Sequence, residues 1–273
     1  MSFTQRLREV QIKQNSLLCI GLDVDENKIP AHIQSMGNPV LEFNRRIIES
    51  THDLVCAYKP NLAFYEAMGE SGITALRETL KLIPKSVLTI GDGKRGDIGN
   101  TAERYAQSLF SDFGFDSATV NPYMGFDSIA PFLTDPEKGV FILALTSNAG
   151  SKDFQRLKVG TKPLYEKVVY SVKKWDKNQN IGLVVGATHP KELQRIRKIV
   201  PDMPLLIPGI GKQGGDLKSA IRNGCDEHGQ LAVINASRSI IYASSGNDFA
   251  EAARAEAKKM VEEMRMYLEQ LNN

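Results

Sequence analysis

The segment Val140-Phe141-Ile142-Leu143-Ala144-Leu145-Thr146 is an uninterrupted apolar run that ends in a polar residue. A strand with one face in water alternates apolar and polar side chains, whereas a parallel strand covered on both faces is apolar throughout. The run therefore predicts a buried strand of a parallel sheet. Seven further runs of this kind occur, at residues 17–23, 55–61, 87–94, 117–121, 181–187, 204–208 and 231–236.

Amphipathic segments of helical length lie between the apolar runs, at residues 39–52, 66–82, 101–113, 164–176 and 190–200. A last apolar stripe at helical spacing is formed by Ala257, Met260, Val261, Met264, Leu268 and Leu271. Eight strands that each precede a helix-length segment predict an α/β fold, the closed (β/α)8 TIM barrel, as a single domain over residues 1–273. A doubly wound open sheet has the same order of elements, and periodicity alone leaves it open.

Composition narrows the class of protein. Lys and Arg number 34 and Asp and Glu number 32, so the net charge of +2 favours neither nucleic acid nor a membrane as partner. The apolar runs are shorter than the ~18 residues of a membrane span, and residues 1–15 lack the apolar core of a signal peptide. The three cysteines are widely spaced, which predicts buried free thiols and a cytoplasmic location. The four histidines lack metal-ligand spacing, and His189-Pro190 is typical of a helix start.

Charged side chains occur where the first three predicted strands end. Asp23 follows the first strand, Lys59 lies in the second, and Asp92 and Lys94 lie in the third. Residues i and i+2 of a strand project to the same face, so Asp92 and Lys94 point the same way. A buried carboxylate and ammonium must be paired, because an isolated buried charge is very unfavourable. A purely structural ion pair remains an alternative to an active site.

The surrounding run Gly91-Asp92-Gly93-Lys94-Arg95-Gly96-Asp97-Ile98-Gly99-Asn100-Thr101 is more specific. It resembles the Asp-x-Lys-x-x-Asp-Ile signature of the orotidine 5′-phosphate decarboxylases, in the form typical of their type 2 bacterial branch. Further segments match the family in order along the chain: Gly21-Leu22-Asp23, Tyr58-Lys59-Pro60-Asn61, Val120-Asn121-Pro122-Tyr123-Met124-Gly125, Thr146-Ser147-Asn148-Ala149-Gly150-Ser151, Pro208-Gly209-Ile210-Gly211 with Gln213, and Ala236-Ser237-Arg238-Ser239-Ile240. One departure is Ala149, where the family usually has proline.

The resemblance implies cofactor-independent decarboxylation of orotidine 5′-phosphate to UMP, without a metal. The implied catalytic residues are Lys59, Asp92, Lys94 and Asp97. The implied substrate-binding residues are Asp23 for the ribose, Ser147 for the pyrimidine, Thr101, and Gly211, Gln213 and Arg238 in the loops around the phosphate. The resemblance also implies a homodimer, in which Asp97 and Thr101 reach into the partner's site.

Three other functions compete with this interpretation. A Schiff-base aldolase would use Lys94 as nucleophile, but a neighbouring carboxylate favours the ammonium form, which cannot attack a carbonyl. A sugar-phosphate binder has no use for the charged constellation. A metal-dependent sugar-phosphate decarboxylase that shares Asp-x-Lys is the nearest rival, and the Ser147 and Gln213 loops favour the pyrimidine nucleotide over it.

Overall fold

The computed structural model describes residues 1–210 and 214–272, with the backbone alone at Asn272. The structure has eight parallel strands: β1 Leu18–Gly21, β2 Ala57–Lys59, β3 Leu88–Arg95, β4 Ser117–Val120, β5 Gly139–Leu145, β8 Ile181–Val185, β9 Leu205–Pro208 and β10 Ala232–Ala236, with a separate antiparallel pair, β6 Lys158–Val159 and β7 Lys162–Pro163. The eight parallel strands close into one barrel in the order β1-β10-β9-β8-β5-β4-β3-β2. The closed (β/α)8 barrel is confirmed, and the open sheet is excluded.

The helices surround this barrel. Their bounds are α1 Phe3–Gln14, α2 Ala31–Gln34, α3 Pro39–Thr51, α4 Leu62–Ala67, α5 Gly69–Leu82, α6 Gly99–Gln107, α7 Leu164–Trp175, α8 Pro190–Ile199, α9 Leu217–Gly224, α10 Arg238–Ile241 and α11 Phe249–Asn272. Single helical turns lie at Glu26–Lys28, Ala130–Leu133 and Ala149–Lys152, and a π-helical turn at Ser108–Asp112. No helix of the described chain is both long and apolar enough to span a membrane.

Two predicted helices differ from the structure. The segment 66–82 is two helices, because Gly69 has φ +64 and a left-handed residue cannot continue a right-handed helix. The segment 101–113 is α-helical only to Gln107 and continues as the π-helical turn.

Helix α1, which the sequence did not predict, closes the amino end of the barrel. Its Phe3 and Leu7 side chains are buried against the barrel interior, with the Phe3 ring edge-on to Phe141 at 5.8 Å between centroids. Gln11 donates to the carbonyl of Ala232 at 2.8 Å. With this end closed, the carboxyl ends of the strands are the open end, where barrel enzymes place their sites.

Candidate active site

A cavity of about 460 Å³ opens at the carboxyl ends of the strands. Its lining comes from the loops and ends that follow β1, β2, β3, β9 and β10, and therefore from residues far apart in sequence. Among the lining residues are four of those singled out by the sequence: Asp23, Lys59, Asp92 and Arg238. The position matches the C-terminal face at which βα loops of this barrel assemble active sites.

The Asp92 carboxylate lies between two ammonium groups. Its Oδ2 is 2.6 Å from Nζ of Lys59, and its Oδ1 is 2.6 Å from Nζ of Lys94. Lys59 Nζ also lies 4.0 Å from Oδ1 of Asp23, which extends the array to a second carboxylate. The side chains of Lys59 and Asp92 are only 4% and 9% exposed, whereas that of Lys94 is 46% exposed. Lys94 is thus the member of the array most open to a ligand.

The charges of this array reinforce one another. Burial by itself raises the pKa of Asp92, but Lys59 and Lys94 outweigh it and hold that pKa below its ordinary value. Burial by itself lowers the pKa of Lys59, but Asp92 and Asp23 raise it above its ordinary value. Both groups are therefore ionised at neutral pH, and Lys94 faces a carboxylate that is fully charged.

Thr119 of β4 fixes the relative position of Asp92 and Lys94, and the sequence analysis missed it. Its hydroxyl accepts a hydrogen bond from the Lys94 backbone N–H at 2.9 Å and donates one to Asp92 Oδ1 at 2.9 Å. The pairing of β3 with β4 shifts register between Gly91 and Arg95, so the ladder leaves this N–H to a side chain. Lys94 has φ +45, a left-handed conformation that costs a non-glycine residue roughly 1 kcal/mol.

The loops after β9 and β10 form the other side of the cavity. Gly209 has φ +100, a conformation that favours glycine, and it lines the cavity with Ile210. Arg238 begins α10 and lines the cavity together with Ser237 and Ser239. A planar guanidinium beside hydroxyl groups and a turn of backbone suits phosphate oxygens. Two predicted site residues, Gly211 and Gln213, lie outside the described residues.

Tyr242 connects the loops after β1 and β10 and was also missed by the sequence analysis. Its hydroxyl accepts a hydrogen bond from the Asp25 N–H at 2.7 Å and donates one to the Asp23 carbonyl at 3.3 Å. Burial raises the pKa of Tyr242 to about 12, so the hydroxyl keeps its proton at neutral pH. Oδ1 of Asp23 is buried and has no hydrogen-bond partner among the described residues. An acceptor of this kind at a cavity suits a ligand hydroxyl.

Lys94 itself and three other predicted site residues lie outside the lining of the cavity. Asp97 follows β3 and accepts a hydrogen bond from the Ile98 N–H at 2.8 Å, and Thr101 is exposed in the first turn of α6. Ser147 is half-buried after β5, and its Cβ would lie 3.0 Å from a Cβ placed on Gly186. The single chain thus brings Asp23, Lys59, Asp92 and Arg238 to one cavity, joins Lys94 to them through Asp92, and leaves Asp97, Thr101 and Ser147 outside the lining. In the part of the chain described, no three His, Cys, Asp or Glu side chains are grouped to hold a metal ion.

Known proteins are similar to this chain in sequence and in fold. An orotidine 5′-phosphate decarboxylase of Dehalococcoides mccartyi is 51% identical over 271 residues, which are 98% of each chain. An orotidine 5′-phosphate decarboxylase of Flavobacterium johnsoniae is 49% identical, over 96% of each chain. The structure of Leishmania donovani OMP decarboxylase superposes with a TM-score of 0.85 at 39% identity, covering 98% of this chain and 99% of the other. The sequence profile of the orotidine 5′-phosphate decarboxylase / HUMPS family matches residues 16–255, and the chain belongs to this family.

Proposed function

We propose that this chain decarboxylates orotidine 5′-phosphate to UMP and carbon dioxide, the last step of de novo pyrimidine nucleotide synthesis, without a cofactor. The observation that carries the proposal is the buried Asp92 carboxylate between Lys59 and Lys94, at a cavity with a phosphate-type loop on its other side. The high identity to decarboxylases over nearly the whole chain supports the same reaction. The buried free thiols Cys19, Cys56 and Cys225 suit a reducing location such as the cytoplasm.

Lys94 performs the chemical step in this proposal. Loss of carbon dioxide leaves an electron pair on a pyrimidine carbon that has no conjugated acceptor. An ammonium beside that carbon stabilises the developing charge and then donates its proton, which forms the C–H bond of UMP. Nζ of Lys94 is held 2.6 Å from the Asp92 carboxylate, a contact that an imine-forming aldolase would have to break.

The remaining cavity residues hold the nucleotide. Oδ1 of Asp23, which has no hydrogen-bond partner among the described residues, accepts a hydrogen bond from a ribose hydroxyl. Arg238 pairs with the phosphate, together with the backbone after β9. Ser147 contacts the pyrimidine. Binding energy from the distant phosphate can then draw the loops together around the ring, which raises the rate as well as the affinity.

A two-fold dimer completes the site in this proposal. Exposed apolar side chains form a patch close to Asp97: Ile98 follows it in the chain and is 55% exposed, and Met124 is 44% exposed with its Cε 3.5 Å from a Cβ placed on Gly96. Such clusters are typical of protein interfaces. Packing of two copies across this patch brings Asp97 and Thr101 of one chain to the Lys94 of the other.

The direct test of the reaction is the loss of orotidine 5′-phosphate absorbance with and without a chelator. We expect turnover in both, with UMP as product. Loss of turnover on chelation points to the metal-dependent decarboxylase instead. Absence of turnover in both, with nucleotide still bound, points to the sugar-phosphate binder.

The shared site is tested by mixing inactive Lys94→Ala and Asp97→Ala chains, unfolding them together and refolding. A mixed dimer has one site with both lesions and one with neither. Random pairing makes about half of the dimers mixed, so activity should return to roughly a quarter of wild type. An inactive mixture, with mixed dimers confirmed by native mass spectrometry, contradicts the shared site.

A further inference from the structure

His189 lies outside the cavity lining but contacts the loop that carries Ser147. It precedes α8, and its Nε2 lies 3.1 Å from the carbonyl oxygen of Thr146. Its Nδ1 lies 2.9 Å from NH2 of Arg156, which belongs to the same loop as Ser147. Both ring nitrogens therefore lie within hydrogen-bond distance of the segment after β5.

The chemistry of these partners determines the form of the ring. A carbonyl oxygen only accepts, so Nε2 must carry the proton and donate it to Thr146. A guanidinium only donates, so Nδ1 must be the unprotonated acceptor for Arg156. The charge of Arg156 is balanced by Glu192, at 2.7 Å from NH1 to Oε1. The two contacts together therefore fit the Nε2–H tautomer of His189, which donates to Thr146 and accepts from Arg156.

The contact with Thr146 bears directly on Ser147. The Thr146 carbonyl and the Ser147 N–H belong to one peptide unit, which is planar. Holding the oxygen of that unit therefore fixes the plane from which the Ser147 side chain departs. A second tie acts on the same residue, because Gln155 accepts from the Thr146 N–H at 2.8 Å and donates to its hydroxyl at 2.9 Å.

We propose that His189 is a positioning residue, which holds the Thr146–Ser147 peptide so that Ser147 meets the pyrimidine base. The inference rests on the proposed function, in which Ser147 contacts the base. Its consequence is selective: loss of the His189 contact weakens recognition of the base and leaves recognition of the ribose phosphate unchanged, because Asp23 and Arg238 belong to loops on other strands.

The test compares His189→Leu with His189→Gln and with the exposed control His228→Leu. Calorimetry measures the affinity of each protein for UMP and for ribose 5-phosphate. We expect His189→Leu to weaken UMP binding about three- to tenfold, the range of one lost hydrogen bond, with ribose 5-phosphate within twofold. In His189→Gln the amide can donate to Thr146 and accept from Arg156, so its UMP affinity should remain close to wild type. His228→Leu should match wild type for both ligands.

The outcomes separate this inference from the proposed function. Unchanged UMP affinity in His189→Leu, or equal weakening of both ligands, overturns the positioning role. If His189→Leu does not fold, Arg156→Met replaces it and should weaken UMP binding selectively in the same way. A wild-type protein that binds UMP but does not turn over orotidine 5′-phosphate overturns the proposed reaction, while the selective loss still establishes the role of His189.

Discussion

Charged side chains are buried at both ends of the barrel, and the two ends stabilise them by different means. At the carboxyl end, Asp92 is paired with Lys59 and Lys94, and the array faces a cavity. At the amino end, Arg197 of α8 is 8% exposed. Among the described residues its guanidinium donates only to backbone carbonyls, those of Val200, Pro201, Met203, Gly224 and Leu231.

The difference indicates separate purposes. Backbone carbonyls accept hydrogen bonds from all three nitrogens of the Arg197 guanidinium, so that none is left to bind a ligand. These contacts also connect the loops that precede β9 and β10. At the carboxyl end, Lys59 and Lys94 each donate to one oxygen of Asp92. Lys94 is 46% exposed and keeps N–H groups that can donate to a ligand. Substitutions at the carboxyl end should therefore alter the reaction, and substitutions at the amino end should alter stability.

The largest effect is expected for Lys94→Ala. One side chain supplies both the countercharge and the proton, so turnover of orotidine 5′-phosphate should fall more than about 1,000-fold while UMP still binds. Single-turnover kinetics and UMP calorimetry measure the two properties, with the exposed Lys85→Ala as control. If the variant retains a tenth of wild-type kcat, the proposed role of Lys94 is wrong. If borohydride traps an imine between the wild-type protein and substrate, the aldolase is supported instead.

Arg197→Met should have the opposite profile. It leaves buried carbonyls without donors, so the free energy of unfolding should fall by about 3–4 kcal/mol, with kcat of the folded protein unchanged. Urea unfolding measures the loss, and Lys198→Met, exposed on the same helix, should change stability by less than about 0.5 kcal/mol. Equal stability of the two variants shows that the carbonyl contacts of Arg197 contribute nothing.

How far the sequence predicts these two ends depends on how visible their patterns are. Apolar runs on β strands covered from both sides predict the barrel, and the i, i+2 rule places Asp92 beside Lys94, where the structure has them in contact. The catalytic roles of these residues stay predictions. Arg197 lies in a charged segment that is typical of a solvated helix face. Helix α1 was missed although Phe3, Leu7 and Val10 have helical spacing and Ser2 and Gln5 form a capping box.

Side-chain contacts across strands are the part that the sequence does not reveal. Thr119 is a common strand residue, and nothing local indicates that its hydroxyl joins Asp92 to Lys94. His189 was correctly predicted at a helix start, but its contacts with Thr146 and Arg156 depend on the loop after β5. The left-handed φ of Lys94 follows from the register shift of β3, which a single sequence does not encode visibly.

Arg238→Ala tests the far side of the cavity. It should lower kcat/KM for orotidine 5′-phosphate roughly 10- to 200-fold, the equivalent of about 1.5–3 kcal/mol for a lost charge-assisted hydrogen bond. Orotidine without the phosphate should be affected little, because the contact is absent there. Equal losses on the two substrates show instead that Arg238 supports the fold of the loop after β10.

Thr119→Val tests whether the carboxyl end depends on its backbone support. The variant keeps the shape of the side chain and removes both hydrogen bonds, so kcat should fall about 10- to 30-fold with KM nearly unchanged. Thr119→Ser restores the hydroxyl and should restore most of kcat. A Ser variant as slow as the Val variant shows that packing, not the hydroxyl, positions Lys94.

The smallest effect concerns the stability of Lys94→Ala, and its size depends on pH. At neutral pH the change in unfolding free energy should stay below about 1 kcal/mol, because the Lys94 side chain is half-exposed and its ion pair is screened. In acid the difference from wild type should become smaller, because protonated Asp92 no longer depends on a cation. The folded-state pKa of Asp92 is depressed, so its contribution to stability is present above the unfolded pKa of about 3.9 and is lost as pH falls through the lower folded value.

Removing Lys94 takes away one of the two cations that depress this pKa, so the folded value rises toward the unfolded one and less stability is lost between the two. The free energy of unfolding by urea should therefore fall less from neutral to acid pH in Lys94→Ala than in wild type or Lys85→Ala. Glu42, whose pKa is lowered to about 2 chiefly by its hydrogen bond from Arg45, titrates equally in all three proteins and cancels. An equal fall in all three proteins means that Lys59 alone holds Asp92 ionised, and that Lys94 contributes to the reaction without contributing to the fold.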